Sequence, residues 1–228
     1  MATRRLSGLL SGCAILTVIA ASADTFYFVL EACQFAFNAA VNGGAIGGSL
    51  YHSGEYTLIN CLVYSNSATY AVYADPSGWE IADTDYAIDM SYCTVVDNAS
   101  GGVYARNFNG LGLRIRDSII ANNGVTGISW SPGSVGSGNL SFNDVYGHTA
   151  NYAGQAAAGT GCLTLNPRFL DAAQRDYRLA GHSPCIDTAT NLFIAFDLPG
   201  TNRPLRAGYD MGCYEMAPTP QGTVILIR

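Results

Sequence analysis

At 228 residues, nearly half of them apolar, the chain is long enough for one large domain or two small ones around a sizeable core. Only 12% of residues are charged, every basic one is arginine, and a net charge of −6 with no basic stripe excludes nucleic acid as an expected partner. Glycine (26) and tyrosine (14) beside so few charges favour tightly wound β structure over helices.

Residues 1–23 read as an export signal. Arg4 and Arg5 precede an apolar run from Leu6 to Ala21, and Ala21-Ser22-Ala23 offers the small residues a signal peptidase needs, leaving Asp24 as the first mature residue. The run is short for a transmembrane span; a buried N-terminal helix and a membrane anchor are the alternatives. Thr3-Arg4-Arg5-Leu6 loosely resembles a twin-arginine signal, and Leu10-Ser11-Gly12-Cys13 resembles a lipobox that would place a lipid on Cys13. The expected location is secreted or cell-surface, with no transmembrane span in the mature chain.

Residues 24–158 repeat. Five stretches align in one frame anchored on Cys33, Cys61, Cys93, Ser118 and Asn143, spaced 28, 32, 25 and 25 residues apart. Three residues before each anchor stand Leu30, Leu58, Met90, Ile115 and Leu140; two after, Phe35, Val63, Val95, Ile120 and Val145; five after, Asn38, Asn66, Asn98, Asn123 and His148. Self-similarity at this period means units that bury their apolar side by stacking on one another. Short β-rich runs alternate with Gly, Asn, Ser and Asp turns, and each unit resumes past its Asn in a further strand, as at Ala71-Val72-Tyr73 and Gly102-Val103-Tyr104. The expected fold is all-β, a parallel solenoid of about five coils with three short strands each, the longer coils carrying extra residues in loops such as 75–83. The Asn positions are expected to be turn residues with positive φ, stacked along the axis and tolerant of Ala or Thr. Asp at Val63 or Val95 should not be tolerated.

Six of the seven cysteines follow the signal. Cys33, Cys61 and Cys93 share one repeat position, where parallel Cβ vectors do not favour a bridge, so they are expected to form a buried thiol ladder. A Cys185–Cys213 bridge and free thiols remain alternatives at the C-terminus.

Near Gly159 the repeat stops, and residues 159–216 carry a different order: Asn166-Pro167-Arg168-Phe169, Asp176-Tyr177-Arg178-Leu179, Ser183-Pro184-Cys185-Ile186-Asp187, Asp197 to Arg203-Pro204, and Asp210-Met211-Gly212-Cys213-Tyr214-Glu215. These five motifs, in this order, resemble the end of bacterial exported β-helix proteins of the choice-of-anchor Q type, which belong among right-handed parallel β-helices resembling pectate lyases. The resemblance spans about Leu163–Glu215, and the repeats extend it upstream to Phe26. Asn166 for Asp, Thr188 for Gly and Cys213 for Ala depart from the pattern. The resemblance implies that Asp187, Asp197, Asp210, Glu215 and Arg203 are structural, satisfying turn backbones and pairing with one another while closing the last coil. Residues 217–228 form a tail in which Val224–Ile227 is too short to span a membrane.

A lyase would need carboxylates gathered around calcium and a nearby base; a hydrolase, two carboxylates about 5–10 Å apart. Residues flanking each anchor are expected to point outward: Ala32 and Gln34, Asn60 and Leu62, Tyr92 and Thr94, Asp117 and Ile119, Phe142 and Asp144. Of these, Asn60, Tyr92, Asp117 and Asp144 are the candidates to face carbohydrate, and Asp117 with Asp144 is the catalytic alternative. Asp83, Asp85 and Asp89 read as a solvated turn in preference to a calcium loop, and His52, His148 and His182 lack ligand spacing, so no metal or cofactor is expected outside a calcium-dependent lyase.

The leading expectation is an exported, non-catalytic β-solenoid contacting polysaccharide or a surface protein, distinguished by the lack of a dense acid–base cluster on any strand face. A small polysaccharide lyase or glycoside hydrolase is the alternative, resting on fold analogy. A structural spacer within a larger surface protein is a third.

Overall fold

The computed structural model describes residues 3–4, 15–20, 26–48, 54–75, 86–107, 112–132 and 138–217. Within them, three stacks of parallel strands wind into a solenoid. The first sheet takes Phe26–Glu31, Gly54–Ile59, Tyr86–Ser91, Gly112–Arg116 and Gly138–Ser141, the second Gln34–Ala36, Leu62–Tyr64, Thr94–Val96, Ile119–Ala121 and Asp144–Tyr146. The third takes Ile46–Gly48, Val72–Ala74, Gly101–Asn107, Thr126–Pro132 and Ala150–Gly154. The register matches the sequence frame: Leu30 lies on Leu58, Leu58 on Met90, Met90 on Ile115 and Ile115 on Leu140. The same holds from Phe35 through Val63, Val95 and Ile120 to Val145. These rows form one continuous interior core. Burial of each such side chain contributes roughly 1.5–3 kcal/mol, available only once a neighbouring coil covers it.

The two corners flanking the second sheet use one device. The residue before each anchor is left-handed (Ala32, Asn60, Tyr92, Asp117 and Phe142, φ 50–54°), and so is the residue before each Asn (Phe37, Ser65, Asp97 and Asn122, φ 52–59°). The positive φ therefore falls one residue earlier than expected. The left-handed turn aims the following side chain into the solenoid, where it satisfies a main-chain carbonyl of the preceding coil. Asn66 Nδ2 donates to Phe35 O, Asn98 Nδ2 to Val63 O and Asn123 Nδ2 to Val95 O. At the other corner Cys61 Sγ donates to Leu30 O, Cys93 Sγ to Leu58 O and Asn143 Nδ2 to Ile115 O. In every case the acceptor stands three residues before the equivalent position one coil back. The Asn amides also chain to one another, Asn38 to Asn66 at 2.9 Å, Asn66 to Asn98 at 3.0 Å and Asn98 to Asn123 at 2.7 Å, and His148 Nε2 continues the ladder 3.3 Å from Asn123. Asn98 is buried and in five hydrogen-bond contacts besides its main-chain donor, all of which Ala there would remove.

The cysteine ladder is shorter than expected. Cys61 and Cys93 are buried free thiols, but Cys33 is disulfide-bonded. Cys162, Cys185 and Cys213 are free, so the Cys185–Cys213 bridge is not formed.

Residues 159–165 close the last coil, with Leu163 bridging to Asp144. Beyond that the chain does not cap the cylinder axially. It turns back and runs as a strap along the outside of the second sheet. There Tyr177, Leu179, Cys185, Met211, Cys213 and Met216 build a second core on Leu62, Val96, Ile119 and Ala121. An antiparallel pair, Phe169–Asp171 with Asp176–Leu179, begins the strap. At the opposite end Ile15–Ala20, inside the segment read as an export signal, pairs antiparallel with Phe26–Glu31 and in turn with Thr3–Arg4. Arg5, Cys13, Ala21–Ala23, His52, the loop beyond Asp75 that holds Asp83 and Asp85, and the tail beyond Ala217 lie outside the described residues. No helix among the described residues is long and apolar enough to cross a membrane.

Candidate functional site

The corner residues expected to face carbohydrate do leave the coil, but they meet the strap instead of solvent. Asn60, Tyr92, Asp117 and Asp144 are all buried, at 2%, 0%, 0% and 0% exposure. The strap engages them coil by coil. Cys185 Sγ donates to Asp144 Oδ2 at 3.2 Å and Leu165 N to its Oδ1 at 3.0 Å. Thr190 donates to both oxygens of Asp117, from N and from Oγ1, at 2.7 Å each. Tyr92 Oη donates to Thr190 O, and Asn60 Nδ2 to Phe196 O at 2.6 Å. Burial raises the Asp117 carboxyl and pushes Asp144 up to about 6. Both carboxylates are buried and already bonded inside the fold.

The charged groups of the C-terminal motifs are likewise consumed internally. Arg203 is buried and donates to Glu215 Oε1 at 2.7 Å, to Gly212 O and Asp210 O, and to Asn60 Oδ1 at 3.1 Å, with its guanidinium 4.3 Å from the Tyr92 ring centroid. Asp210 accepts from Asp187 N and Met216 N, Asp197 from Thr201 N and Glu215 N, and Asp187 from Gly208 N. A buried charge must be partnered: Arg203 is met by Glu215, with only its Nε left without an acceptor, Asp197 and Asp210 are met by main-chain amides, and Asp187 is exposed.

The open polar face lies elsewhere. With Leu58, Met90 and Ile115 inward, alternation sends residues four and two before each anchor to the outside of the first sheet. One outward row runs Val29, Thr57, Asp89, Arg114, Asn139; the next runs Glu31, Ile59, Ser91, Arg116, Ser141. Asp89 is thus a strand residue and not a solvated turn. Arg114 grips it with two parallel bonds, Nε to Oδ1 at 2.8 Å and Nη2 to Oδ2. Arg116 Nη2 lies 4.0 Å from Asp89 and donates to Ser91 Oγ at 3.4 Å. The Arg114 guanidinium sits 4.2 Å over the Tyr86 ring, and the bond to Asp89 raises its pKa further. In the coil before, Thr57 Oγ1 donates to Glu55 Oε1 at 2.9 Å. Arg116 Nε is buried without an acceptor.

This acid–base cluster is the one whose lack was expected on every strand face. The residues adjoining the anchors do not include it; the alternation around Met90 and Ile115 is the signal that locates it. A second polar face adorns the third sheet. Tyr73 and Tyr104 stack at 5.0 Å and 12°, Tyr70 leans on Tyr104, and Asp75 accepts from Tyr73 Oη at 3.0 Å and Arg106 at 3.4 Å. Burial and the Asp75 bond push the Tyr73 phenol up to about 12.

Among the described residues no group of three His, Cys, Asp or Glu side chains is placed to hold a metal ion. His148 serves the Asn ladder, and burial lowers its pKa; His182 is exposed on the strap. No protein-family model, no curated protein and no solved structure matches the chain.

Proposed function

We propose that the chain is an exported, non-catalytic β-solenoid of the cell surface that contacts polysaccharide along the outer face of its first sheet. The observation that carries this reading is the mutual commitment of Asp89 and Arg114. Asp89 spends both oxygens on the guanidinium, and Arg114, its proton held more firmly by that pair, is unsuited to act as a base. What remains is a rigid, in-register set of donors and acceptors, Thr57, Arg116, Asn139 and Ser141, on strands ~4.8 Å apart along the axis. An extended chain of hydroxyls and carboxylates fits such a ladder. Two arginines against one aspartate at this end favour an acidic polymer.

The order of the five C-terminal motifs supports grouping the chain with right-handed, exported bacterial β-helices of the choice-of-anchor Q type. The apolar run ending at Ala21-Ser22-Ala23 supports export. The test is affinity electrophoresis of the purified mature chain through acidic and neutral polysaccharides, with product analysis in the presence and absence of calcium. The expected result is retardation by an acidic polymer without unsaturated products or new reducing ends, weakened about tenfold, ~1.4 kcal/mol, in Arg116→Ala. Turnover abolished by Asp89→Ala, Asp117→Ala or Asp144→Ala would overturn the reading.

A further inference from the structure

The Asn ladder has a direction, and the direction decides what its last member must do. From Asn38 through Asn66 and Asn98 to Asn123, each Nδ2 donates to the Oδ1 of the next coil. Asn123 Oδ1 also accepts from Asn98 N at 3.2 Å, and Asn123 Nδ2 spends one hydrogen on Val95 O at 2.9 Å. The Asn123 amide therefore cannot turn over without setting donor against donor at Asn98 and oxygen against oxygen at Val95. Its second Nδ2 hydrogen is left for His148 Nε2, 3.3 Å away.

His148 meets that donor only while Nε2 is bare. The other ring nitrogen requires the same state: Nδ1 lies 3.1 Å from Asn151 Oδ1, an acceptor that also takes His148 N, so the ring proton belongs on Nδ1. Both neighbours fix one neutral tautomer. The ring is faced by Asn123 from the fourth coil, by Gly127 from Thr126–Pro132, where a Cβ would lie 2.9 Å from Nδ1, and by Asn151 from its own coil. None of these titrates or carries charge, and among the described residues no ion pair reaches the ring. A proton taken up from solvent has one place to go, Nε2, where it meets the Asn123 donor with no acceptor between them. Asn123 is fully buried, so the lost bond is not readily replaced by water. His148 itself is only half-buried, within reach of solvent protons. Asparagine at this position would offer Oδ1 to the same donor at any pH.

We propose that His148 is a pH-sensitive latch on the last coil: neutral, it ends the ladder and holds the corner 147–151 to the coil before it; protonated at Nε2, it parts from Asn123 and lets that corner loosen. Burial lowers the pKa of the ring, which acts in the same direction. The latch is fully closed above the ordinary histidine value of about 6.5 and opens as pH falls below it. Global unfolding does not isolate it, because the buried carboxyls of Asp144 and Asp210 tilt stability the other way.

The test is NMR of the whole ¹⁵N-labelled chain, with the ring of His148 assigned from its backbone among the three histidines. At pH 8 the expected tautomer carries its proton on Nδ1. Thr149 N and Ala150 N donate to Gly124 O and Val125 O across the latched corner. Their protection against exchange, corrected for the pH dependence of the free amide rate, should fall at least about threefold from pH 8 to pH 5. Protection of Val63 and Val95 should not fall. His148→Asn should hold the corner closed at both pH values. A neutral ring protonated on Nε2, equal protection of Thr149 and Ala150 at the two pH values in the unaltered chain, or a fall as large in His148→Asn would overturn the proposal. The first two readings need no variant, so they decide the matter even if His148→Asn misfolds.

Discussion

Arg203 Nη2 donates to Asn60 Oδ1 at 3.1 Å across 143 residues of sequence, tying the strap to the second coil through a left-handed corner residue. The same guanidinium neutralises Glu215, whose other oxygen accepts from Leu205 N. Removing the cation strands a buried carboxylate. Arg203→Met should therefore lower unfolding free energy by roughly 3–5 kcal/mol, read from urea midpoints. Adding Glu215→Gln should recover part of the loss, because the stranded charge is then gone.

The Asn ladder makes a sharper demand than a surface turn would. Asn98→Ala deletes donors to Val63 O and Val96 O and the bridge between Asn66 and Asn123. It should cost about 3 kcal/mol or more, given roughly 1–3 kcal/mol for each buried group left unpaired. Asn38→Ala, at the exposed end of the ladder, should cost under about 1 kcal/mol. Equal losses at the two positions would contradict the ladder.

Burial holds the Asp144 and Asp210 carboxyls up at about 6, against about 3.9 in an unfolded chain. Between those values the folded chain keeps protons that the unfolded chain has released. Their contribution is therefore fully present below about pH 4 and is lost as pH rises through about 6. The urea midpoint should be higher at pH 5 than at pH 8. Asp144→Asn, which keeps an acceptor for Leu165 N, should reduce the loss between pH 5 and pH 8 by roughly 1.4 kcal/mol, one pH unit's worth. A steeper slope in the variant would refute the assignment.

The sequence frame located the solenoid because stacking demands the same residue type at the same rung; the Leu58, Val63 and Asn66 rows needed no partner information. Its corners were harder to read. Positive φ at Tyr92 or Phe142 is hidden, since neither residue type favours it. The strap was hidden for a different reason. Motif order suggested an axial closure of the last coil, whereas its course is set by long-range contacts such as Thr190 with Asp117. One clue was present: Leu62, Val96, Ile119 and Ala121 alternate outward on the second sheet, and an apolar outer face must be covered. The Asp89–Arg114 pair was equally legible from alternation, 25 residues apart in adjacent coils.

Whether the strap seals the corner that carries Asp117 and Asp144 is decided most directly by native-state amide exchange of the whole chain, residue by residue. Thr190, Gly212 and Cys213 donate their amides to Asp117 Oδ1, Asp117 O and Thr94 Oγ1. They should exchange as slowly as Val63, Val95 and Ile120 in the second sheet beneath them, through the same global opening. Exchange of these three at free-chain rates, with the sheet still protected, would show a strap that does not dock and a corner open to substrate.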